Sequence, residues 1–246
     1  MNNIQHIREG ICVSIVSHGH GNQVWELADC LVEYPEVKSV IITLNIPEQV
    51  PGRLHNKIEV VGNRKQLGFA ENHNNVFSQF CEFEYFCVLN PDVVITENFF
   101  ESMLSSFKDK KVAICAPVAE DEHGNRGDNF RRFFGPYGLL LRSLRINRGT
   151  YEIDIGKPVR PDWVSGMFML FRSDLFRAIN GFDAKYRMYC EDVEICLRSR
   201  RVGYEILGLT TCRVFHDGAR KSHRNIKYFI WHIRSFLRLW RAHFAR

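Results

Sequence analysis

The stretch CEDVEICL, at residues 190–197, holds three carboxylates among cysteine, valine, isoleucine and leucine side chains. Acidic residues on a solvated helix face usually alternate with polar neighbours, so this pattern raises the question of whether one carboxylate faces a site. If a helix begins near Glu191, Asp192 stands in its first turn, at the edge of an apolar stripe spaced i, i+3 and i+4. The positive end of the helix dipole keeps a carboxylate there ionised, as a general base must be. The alternative is that Glu191 and Asp192 only complement the dipole.

A second candidate acid, Asp92, lies in VLNPDVV, residues 88–94, directly after the end of an apolar strand. Pro91 prevents the strand from continuing and holds the turn that follows it. A carboxylate at this position can ligate a divalent cation, which in turn can hold a diphosphate. His216, in RVFHDG, follows another predicted strand and can act as a neutral metal ligand. The alternatives are an Asx-turn at Asp92 and a structural histidine in the core.

Residues 63–75, NRKQLGFAENHNN, place a glycine and several asparagines around a predicted helix start. Gly68 permits close approach of the backbone, and a helix N-terminus favours an anion or a polar ligand. Arg64 is placed to contact phosphate. The alternative is a capped helix without a ligand.

Residues 162–172, DWVSGMFMLFR, place Ser165 and Gly166 between an indole and an apolar run. A position without a side chain beside Trp163 suits a sugar ring or a close backbone contact. A bulge in a strand explains the same pattern.

The elements that must position these residues follow from an alternation of short β-branched runs and longer amphipathic segments. We predict strands over residues 11–17, 39–45, 58–62, 85–90 and 112–118, and helices over about 23–33, 70–80 and 97–107. This alternation predicts an α/β fold with an open, mostly parallel sheet, which binds ligands beyond the carboxyl ends of its strands. Residues 121–160 lack a clear period and are interpreted as a long binding loop with one short helix near 139–144.

Bulk composition is that of an ordinary globular protein. The chain has 246 residues, of which 45% are apolar and 25% charged, enough for one compact domain and an appendage. Its eight cysteines include no C-x-x-C pair, which favours reduced, buried thiols over a zinc site or a disulfide scaffold. No run approaches the roughly 20 apolar residues that span a bilayer, so we expect a soluble or peripheral intracellular protein.

The C-terminal tail carries the basic character of the chain. No acidic residue follows Asp217, whereas eight lysines and arginines do. Apolar residues recur there every three or four positions, which predicts a basic amphipathic helix over residues 219–246. Such a helix fits the surface of an anionic bilayer, and packing on the domain is the alternative. Nucleic-acid binding is disfavoured because the aromatic residues follow a helical stripe rather than a stacking platform.

Taken in this order, the motifs resemble those of inverting nucleotide-sugar glycosyltransferases of family 2 with the A-type fold. The resemblance covers residues 11–218 and rests on IVSHGH, NRKQLGFAENHNN, VLNPD, the block from DWVSG to EDVEICLR, and VFHDG. Within the family, the chain most resembles bacterial rhamnosyltransferases that build lipopolysaccharide O-antigen and other surface polysaccharides. The resemblance implies a single Rossmann-like A-type catalytic domain over residues 1–218, followed by the amphipathic tail at 219–246.

The resemblance also implies roles for individual residues. Asp192 corresponds to the catalytic base, Asp92 to the last acid of the D-x-D metal motif, and His216 to a histidine that completes binding of Mg²⁺ or Mn²⁺. The residues implied to hold the nucleotide sugar are Ser17, Asn45, Arg64, Gly68, Asn90 and Asp92, and those implied beside the donor sugar and acceptor are Trp163, Ser165, Gly166 and Glu191.

Two departures from the family pattern bear on donor and cation. Asn90 replaces the first acid of D-x-D, which weakens the expected metal affinity, and TLNIPEQ replaces an aspartate-rich turn. Base recognition then falls to Asn45 and Glu48, which leaves dTDP and UDP donors open. The implied acceptor is a saccharide, lipid-linked at the cytoplasmic face of the inner membrane. The alternatives are the same fold with a UDP-hexose, UDP-N-acetylhexosamine or UDP-galactofuranose donor, and a non-catalytic sugar-nucleotide-binding subunit.

Overall fold

The structure, a computed structural model, describes residues 7–121, 124, 129–133, 149, 151, 153–216 and 226–243. Within these residues, eight strands form one sheet and two more form a short ribbon. The sheet strands are β1 (Arg8–Ser17), β2 (Val37–Leu44), β3 (Ile58–Gly62), β4 (Phe83–Leu89), β5 (Val93–Val94), β6 (Val112–Glu120), β9 (Phe168–Arg172) and β10 (Glu205–His216), and the ribbon strands are β7 (Phe130–Arg131) and β8 (Trp163–Val164). The order across the sheet is β3-β2-β1-β4-β9-β6-β10-β5.

Helices cover both faces of the sheet, as the alternating pattern predicts. They are α1 (Asn22–Val32), α2 (Phe69–Phe80), α3 (Phe100–Ser106), α4 (Ser173–Ala178), α5 (Glu191–Arg201) and α6 (Ile226–His243). Helix α1 shows why each helix docks, because Val24, Leu27, Ala28 and Leu31 are buried at i, i+3, i+4 and i+7. One apolar core lies under α1 and α3, and a second lies under α2, α4 and α5.

The mostly parallel sheet is confirmed, with two antiparallel strands that the sequence does not predict, the short edge strand β5 beside β10 and the central strand β9. Strands β3, β2, β1 and β4 are parallel to one another, and β6 is parallel to β10. Strand β9 is inserted between these two sets and runs antiparallel to both β4 and β6. Its residues Phe168, Met169, Leu170 and Phe171 are all fully buried. Because both faces of β9 are covered, its sequence is continuously apolar, like that of a buried parallel strand. Such a sequence does not show whether the strand runs parallel or antiparallel to its neighbours.

The five predicted strands and three predicted helices are all present, with ends displaced by no more than three residues. The segment 121–160, interpreted as an irregular loop, contains strand β7, which pairs antiparallel with β8. The predicted short helix near 139–144 and the domain boundary at residues 218–219 lie outside the described residues. The reduced cysteines are confirmed, since all eight are free and six are buried. Among the described helices, none has the length and apolarity needed to cross a membrane.

Candidate active site

Four strands bring their following residues to the same edge of the sheet, which we call the carboxyl edge. Ser17 at the end of β1 is level with Leu44 at the end of β2, and Ile15 is level with Leu89 at the end of β4. Strand β10 ends at the same place, where it pairs with β5 directly after Asp92. The candidate residues of the first, second, fourth and tenth strands are therefore neighbours, as the strand-end rule predicts.

Asp92 and His216 meet at the carboxyl edge. The β5–β10 pairing places His216 opposite Val93, and its Nε2 lies 3.3 Å from Oδ1 of Asp92. Burial disfavours the charged carboxylate, but the imidazole of His216 beside it and the charge of His20 hold the pKa of Asp92 below its usual value. Among the described residues no group of three or more His, Cys, Asp or Glu side chains surrounds a metal position.

A short chain of contacts links Asp92 to Asp192. The backbone N–H of Asn90 donates to the carbonyl of Met167 (2.8 Å), which extends the β4–β9 pairing beyond the strand. The N–H of the adjacent Gly166 donates to Oδ2 of Asp192 (3.1 Å). The two carboxylates therefore lie at one end of the sheet, on either side of the turn that leads from β8 into β9.

Asp192 is held in a defined orientation at the start of α5. Its Oδ1 accepts a hydrogen bond from the N–H of Val193 (2.8 Å), and its Oδ2 accepts the one from Gly166. Burial raises the pKa of Asp192, while these two N–H donors and the charge of Arg131 act in the opposite direction. A carboxylate with a raised pKa that still accepts hydrogen bonds is suited to take up a proton.

Glu191 differs from its neighbour because its surroundings favour the neutral form. Its side chain is buried, and Oε2 has no hydrogen-bond partner within the described part of the chain. Burial and the nearby charge of Asp192 raise the pKa of Glu191 well above its usual value. The two adjacent acids thus differ in their surroundings, since Oε2 of Glu191 lacks a hydrogen-bond partner in the described part of the chain, whereas backbone N–H groups hold the carboxylate of Asp192.

Glu194, the third acid of the stretch, is structural. Its two carboxylate oxygens accept hydrogen bonds from Nε and Nη2 of Arg198, each at 2.6 Å, one helical turn later. Arg198 also donates to the carbonyls of Ile179 and Gly181, so the pair fixes α5 to the loop after α4. Of the three carboxylates, Asp192 is the one that accepts the N–H of Gly166 at the carboxyl edge.

The turn before α5 has an uncommon backbone. Tyr189 (φ 73°) and Cys190 (φ 66°) are consecutive non-glycine residues in the left-handed region. Such conformations carry a steric cost and persist only where surrounding contacts hold them. This turn sets the direction in which Glu191 and Asp192 leave the chain.

Glu48, from a later segment of the chain, holds the loop after β1, to which the loop's own His20 adds a hydrogen bond from the N–H of His18 (2.9 Å). Oε1 of Glu48 accepts the N–H of Gly19 (2.9 Å), and Oε2 accepts the hydroxyl of Ser17 (2.9 Å) and the N–H of Gly21 (3.2 Å). Burial disfavours the charge, yet these donors hold the pKa of Glu48 below its usual value. Ser17 and Glu48, both candidate nucleotide contacts, therefore bind each other at the N-terminus of α1.

Asn45 fastens a second loop of the carboxyl edge. Its Oδ1 accepts hydrogen bonds from the N–H of Leu67 and the amide of Asn63, both at 2.9 Å, and its Nδ2 donates to the carbonyl of Leu67 (3.1 Å). Its side chain thus holds the segment that carries the exposed Arg64. A nearly buried amide with both ends occupied positions the site.

Gly68 makes the close backbone approach that its position suggests, but to the protein itself. A Cβ at this residue would lie 2.6 Å from the carbonyl oxygen of Arg187, which accepts the N–H of Phe69 (3.1 Å). Only glycine allows the start of α2 to touch the segment before the strained turn.

The deciding comparison is with the family described as glycosyltransferase-like family 2, whose profile matches residues 26–229. The match covers most of the chain and includes Asp92, Asp192 and His216. The chain is a family 2 glycosyltransferase.

Two curated relatives and one solved structure are similar to this glycosyltransferase. The rhamnosyltransferase WbbL of Escherichia coli (strain K12) is 26% identical over 93% of this chain and 91% of its own. An N-acetylglucosaminyl-diphospho-decaprenol L-rhamnosyltransferase of Mycobacterium tuberculosis is 33% identical over 63 residues, 26% of this chain and 20% of its own. GalNAc-T7, solved with UDP, GalNAc and Mn²⁺, has a TM-score of 0.65 at 13% identity over 84% of this chain and 43% of its own. This last likeness confirms the A-type fold.

Sequence reasoning missed one residue of this glycosyltransferase's site, Arg131 in β7. Its guanidinium stacks on the indole of Trp163, 5.2 Å from the ring centre, and its charge acts on Asp192. The neighbouring Ser165 donates its N–H to the carbonyl of Asn129 (3.0 Å), which extends the pairing of β7 with β8 next to Gly166. The signal available in the sequence is the run FRRFF at residues 130–134, in which two arginines lie between phenylalanines inside the predicted binding loop.

Proposed function

We propose that this glycosyltransferase transfers rhamnose from dTDP-rhamnose to a lipid-linked saccharide in surface polysaccharide synthesis, with inversion at the anomeric carbon. The observation that carries the proposal is the carboxylate of Asp192, which two backbone N–H groups hold at the carboxyl edge beside the buried Glu191. The match to rhamnosyltransferase WbbL along nearly the whole chain supports the choice of sugar.

Asp192 acts as the general base. It takes the proton of an acceptor hydroxyl while that oxygen forms a bond to the anomeric carbon and the bond to the donor diphosphate breaks. General-base assistance of this kind contributes about 10²–10⁴-fold. The N–H groups of Gly166 and Val193 hold the carboxylate in place throughout, so no reorganisation is needed at the moment of transfer.

Asp92 and His216 would hold the divalent cation, either Mg²⁺ or Mn²⁺. Their facing atoms fit this group, because Oδ1 of Asp92 is buried without a hydrogen bond among the described residues and stands 3.3 Å from an imidazole nitrogen. When bound, the cation offsets negative charge on the leaving diphosphate. Asn90 and Arg64, at the same edge, are proposed contacts of the nucleotide sugar, and Trp163, Ser165 and Gly166 are proposed contacts of the donor sugar and acceptor.

Two observations support the proposal of a lipid-linked acceptor. The mycobacterial relative is named for an N-acetylglucosaminyl-diphospho-decaprenol acceptor, although the similarity covers only 63 residues. Helix α6 independently offers a surface suited to lipid. Ile230, Ile233 and Leu237 are 44%, 37% and 47% exposed and lie on one face, with the exposed Arg234 and Arg241 among them.

Helix α6 packs on the domain by its opposite face, where Ser235 and Leu239 are buried. The two sequence-based alternatives, packing and membrane contact, are thus compatible within one helix. We propose that the exposed face rests on the cytoplasmic leaflet, with isoleucine and leucine in the interface and arginines at anionic headgroups.

A panel of nucleotide sugars tests the proposed reaction. With a GlcNAc-diphospho-lipid acceptor, we expect kcat/KM for dTDP-rhamnose to exceed that for UDP-glucose, UDP-N-acetylglucosamine and UDP-galactofuranose by about tenfold or more. A UDP-sugar that is transferred faster contradicts the donor assignment. Binding of donors without any transfer or hydrolysis would favour a non-catalytic subunit.

Pelleting with vesicles tests the membrane proposal. The variant Ile233→Gln/Leu237→Gln alters only the exposed face of α6, and we expect its binding to phosphatidylglycerol vesicles to fall by about tenfold or more. Ile155→Gln removes an equally exposed side chain (56%) elsewhere and serves as the control. Equal pelleting of both variants contradicts membrane contact through α6.

A further inference from the structure

The packed face of helix α6 grips the segment that leads into the proposed base. The hydroxyl of Ser235 donates to the carbonyl of Met188 (2.9 Å), one residue before the left-handed pair Tyr189 and Cys190. Ser235 is 7% exposed, so this hydrogen bond is shielded from water.

Ring contacts from α6 continue along the same segment. The guanidinium of Arg187 lies 5.1 Å from the ring centre of Trp231, and the rings of Tyr189 and His232 meet edge-on at 5.2 Å. Arg187, Met188 and Tyr189 thus each contact a different side chain of α6.

The same helix also holds the body of α5. Leu239 packs with Tyr186 and Leu197 in a small apolar cluster that includes the partly buried Cys190 and Val193. Nearer the end of α6, Nε2 of His243 lies 3.5 Å from Oε1 of Glu194. The helix therefore spans the turn and two turns of α5 beyond it.

We infer that Ser235 is a positioning residue for the general base, and that α6 holds the left-handed turn that aims Glu191 and Asp192. Two consecutive non-glycine residues do not keep positive φ without outside support, and α6 supplies it through Trp231, His232 and Ser235. The inference rests on the proposed function, because it assigns a purpose to the geometry of Asp192.

Two hydrogen bonds, one to the carboxylate of Asp192 and one to the backbone of the turn before it, act at different points of the chain. Gly166 fixes the carboxylate itself, whereas Ser235 fixes the backbone four residues earlier. Loss of the second anchor leaves donor binding intact and lets Asp192 swing toward solvent. We therefore expect an effect on kcat and on the pH profile, with little effect on KM for the donor.

The test compares Ser235→Ala with Ser235→Thr and with Ser105→Ala. Ser105 also donates its hydroxyl to a backbone carbonyl (Ser102, 2.8 Å) but on the exposed side of α3, so it controls for loss of such a bond. We expect Ser235→Ala to lower kcat about five- to tenfold per folded molecule, with the acidic limb of the kcat/KM profile displaced to lower pH as Asp192 regains water. Ser235→Thr keeps the hydroxyl and should restore both.

A second-site change keeps the inference testable if Ser235→Ala folds poorly. Glycine tolerates positive φ at little cost, so Cys190→Gly in the Ser235→Ala background should recover at least half of the lost kcat. The kinetic effects are scaled to the folded fraction measured by circular dichroism.

Three results bear on the inference. Turnover of Ser235→Ala equal to that of Ser105→Ala, while Asp192→Asn is inactive, overturns the inference and leaves the proposed base intact. A loss that only follows the folded fraction, with an unmoved acidic limb, also overturns it. Normal turnover of Asp192→Asn overturns the proposed base and this inference together.

Discussion

The backbone N–H of Gly166 lies 3.1 Å from Oδ2 of Asp192 and donates a hydrogen bond to it. This contact joins the turn before β9 to the first turn of α5, although Gly166 and Asp192 are 26 residues apart in the chain. It also explains the glycine, since a Cβ at residue 166 would lie 3.3 Å from Cζ of Phe69 and 3.5 Å from Cβ of Asp192. The carboxylate of Asp192, the proposed base, is therefore held by a backbone group next to β9 that no side-chain substitution can replace.

The substitution Gly166→Ala should displace Asp192 without unfolding the protein. The added methyl group lies 3.3 Å from Phe69, so either that ring or the backbone of residue 166 must move by a few tenths of an ångström, at a cost of about 1 kcal/mol in stability. A shift of this backbone moves the N–H that holds Asp192. We expect kcat to fall about tenfold, because general-base catalysis depends on the position of the carboxylate. Gly52→Ala, where a Cβ meets nothing within 4 Å, is the control. Equal kcat for the two variants, measured beside thermal unfolding, argues against a role for the contact.

The substitution Arg131→Gln should move the pH profile of the enzyme. The charge of Arg131 lowers the pKa of Asp192 against the effect of burial, so its removal raises that pKa further. A base works in its deprotonated form, and the acidic limb of kcat/KM should therefore shift to higher pH. Arg132→Gln provides the control, since Arg132 stacks on Tyr151 instead (4.7 Å). A shift to lower pH, or the same shift in both variants, contradicts the assignment.

The substitution Glu191→Gln should stabilise the protein more at high pH than at low pH. Burial raises the pKa of Glu191 in the folded state above its pKa in the unfolded state. The stability that the protonated acid provides is therefore complete below the unfolded-state pKa and is lost as pH rises through the folded-state pKa. Glutamine does not titrate and removes this loss. We expect the difference in Tm between variant and wild type to grow from pH 5 to pH 8. The exposed Glu71→Gln is the control, and a difference that shrinks with pH would show that Glu191 is charged in the fold.

The substitution Asp92→Asn should weaken the response to a divalent cation. Removal of the carboxylate leaves His216 alone at the proposed site, and the Mn²⁺ concentration for half-maximal transfer should rise by at least about tenfold. Asp29→Asn, on the exposed side of α1, controls for the loss of one negative charge. A cation dependence that is unchanged in Asp92→Asn removes Asp92 from the proposed metal site.

Much of the architecture is predictable from the sequence because it depends on local patterns. Buried β-branched runs predict the parallel strands, and proline after Asn90 marks where β4 stops. The strand-end rule then brings the candidate residues of β1, β2 and β4 to one edge. The helix start at Glu191 is equally local, since acids in the first turn and arginines in the last complement the helix dipole.

Features that depend on distant contacts are not predictable in this way. The antiparallel direction of β9 is set by its neighbours β4 and β6, and its apolar sequence is neutral to direction. Asn45 is a polar strand-end residue like any nucleotide contact, yet its amide holds Asn63 and Leu67. The left-handed turn at Tyr189 and Cys190 contains no glycine, the residue that usually marks such a conformation in a sequence. The side chains that support the turn lie on α6, over 40 residues later in the chain.

The most direct test of the account is the single-turnover transfer rate of Asp192→Asn with saturating dTDP-rhamnose and a GlcNAc-diphospho-lipid acceptor. The amide oxygen can still accept the N–H of Gly166, so donor affinity should remain near that of the wild type while the loop stays in place. We expect the transfer rate to fall about 10²–10⁴-fold. A rate within about twofold of the wild type, in a variant that binds donor normally, would contradict the assignment of Asp192 as the base.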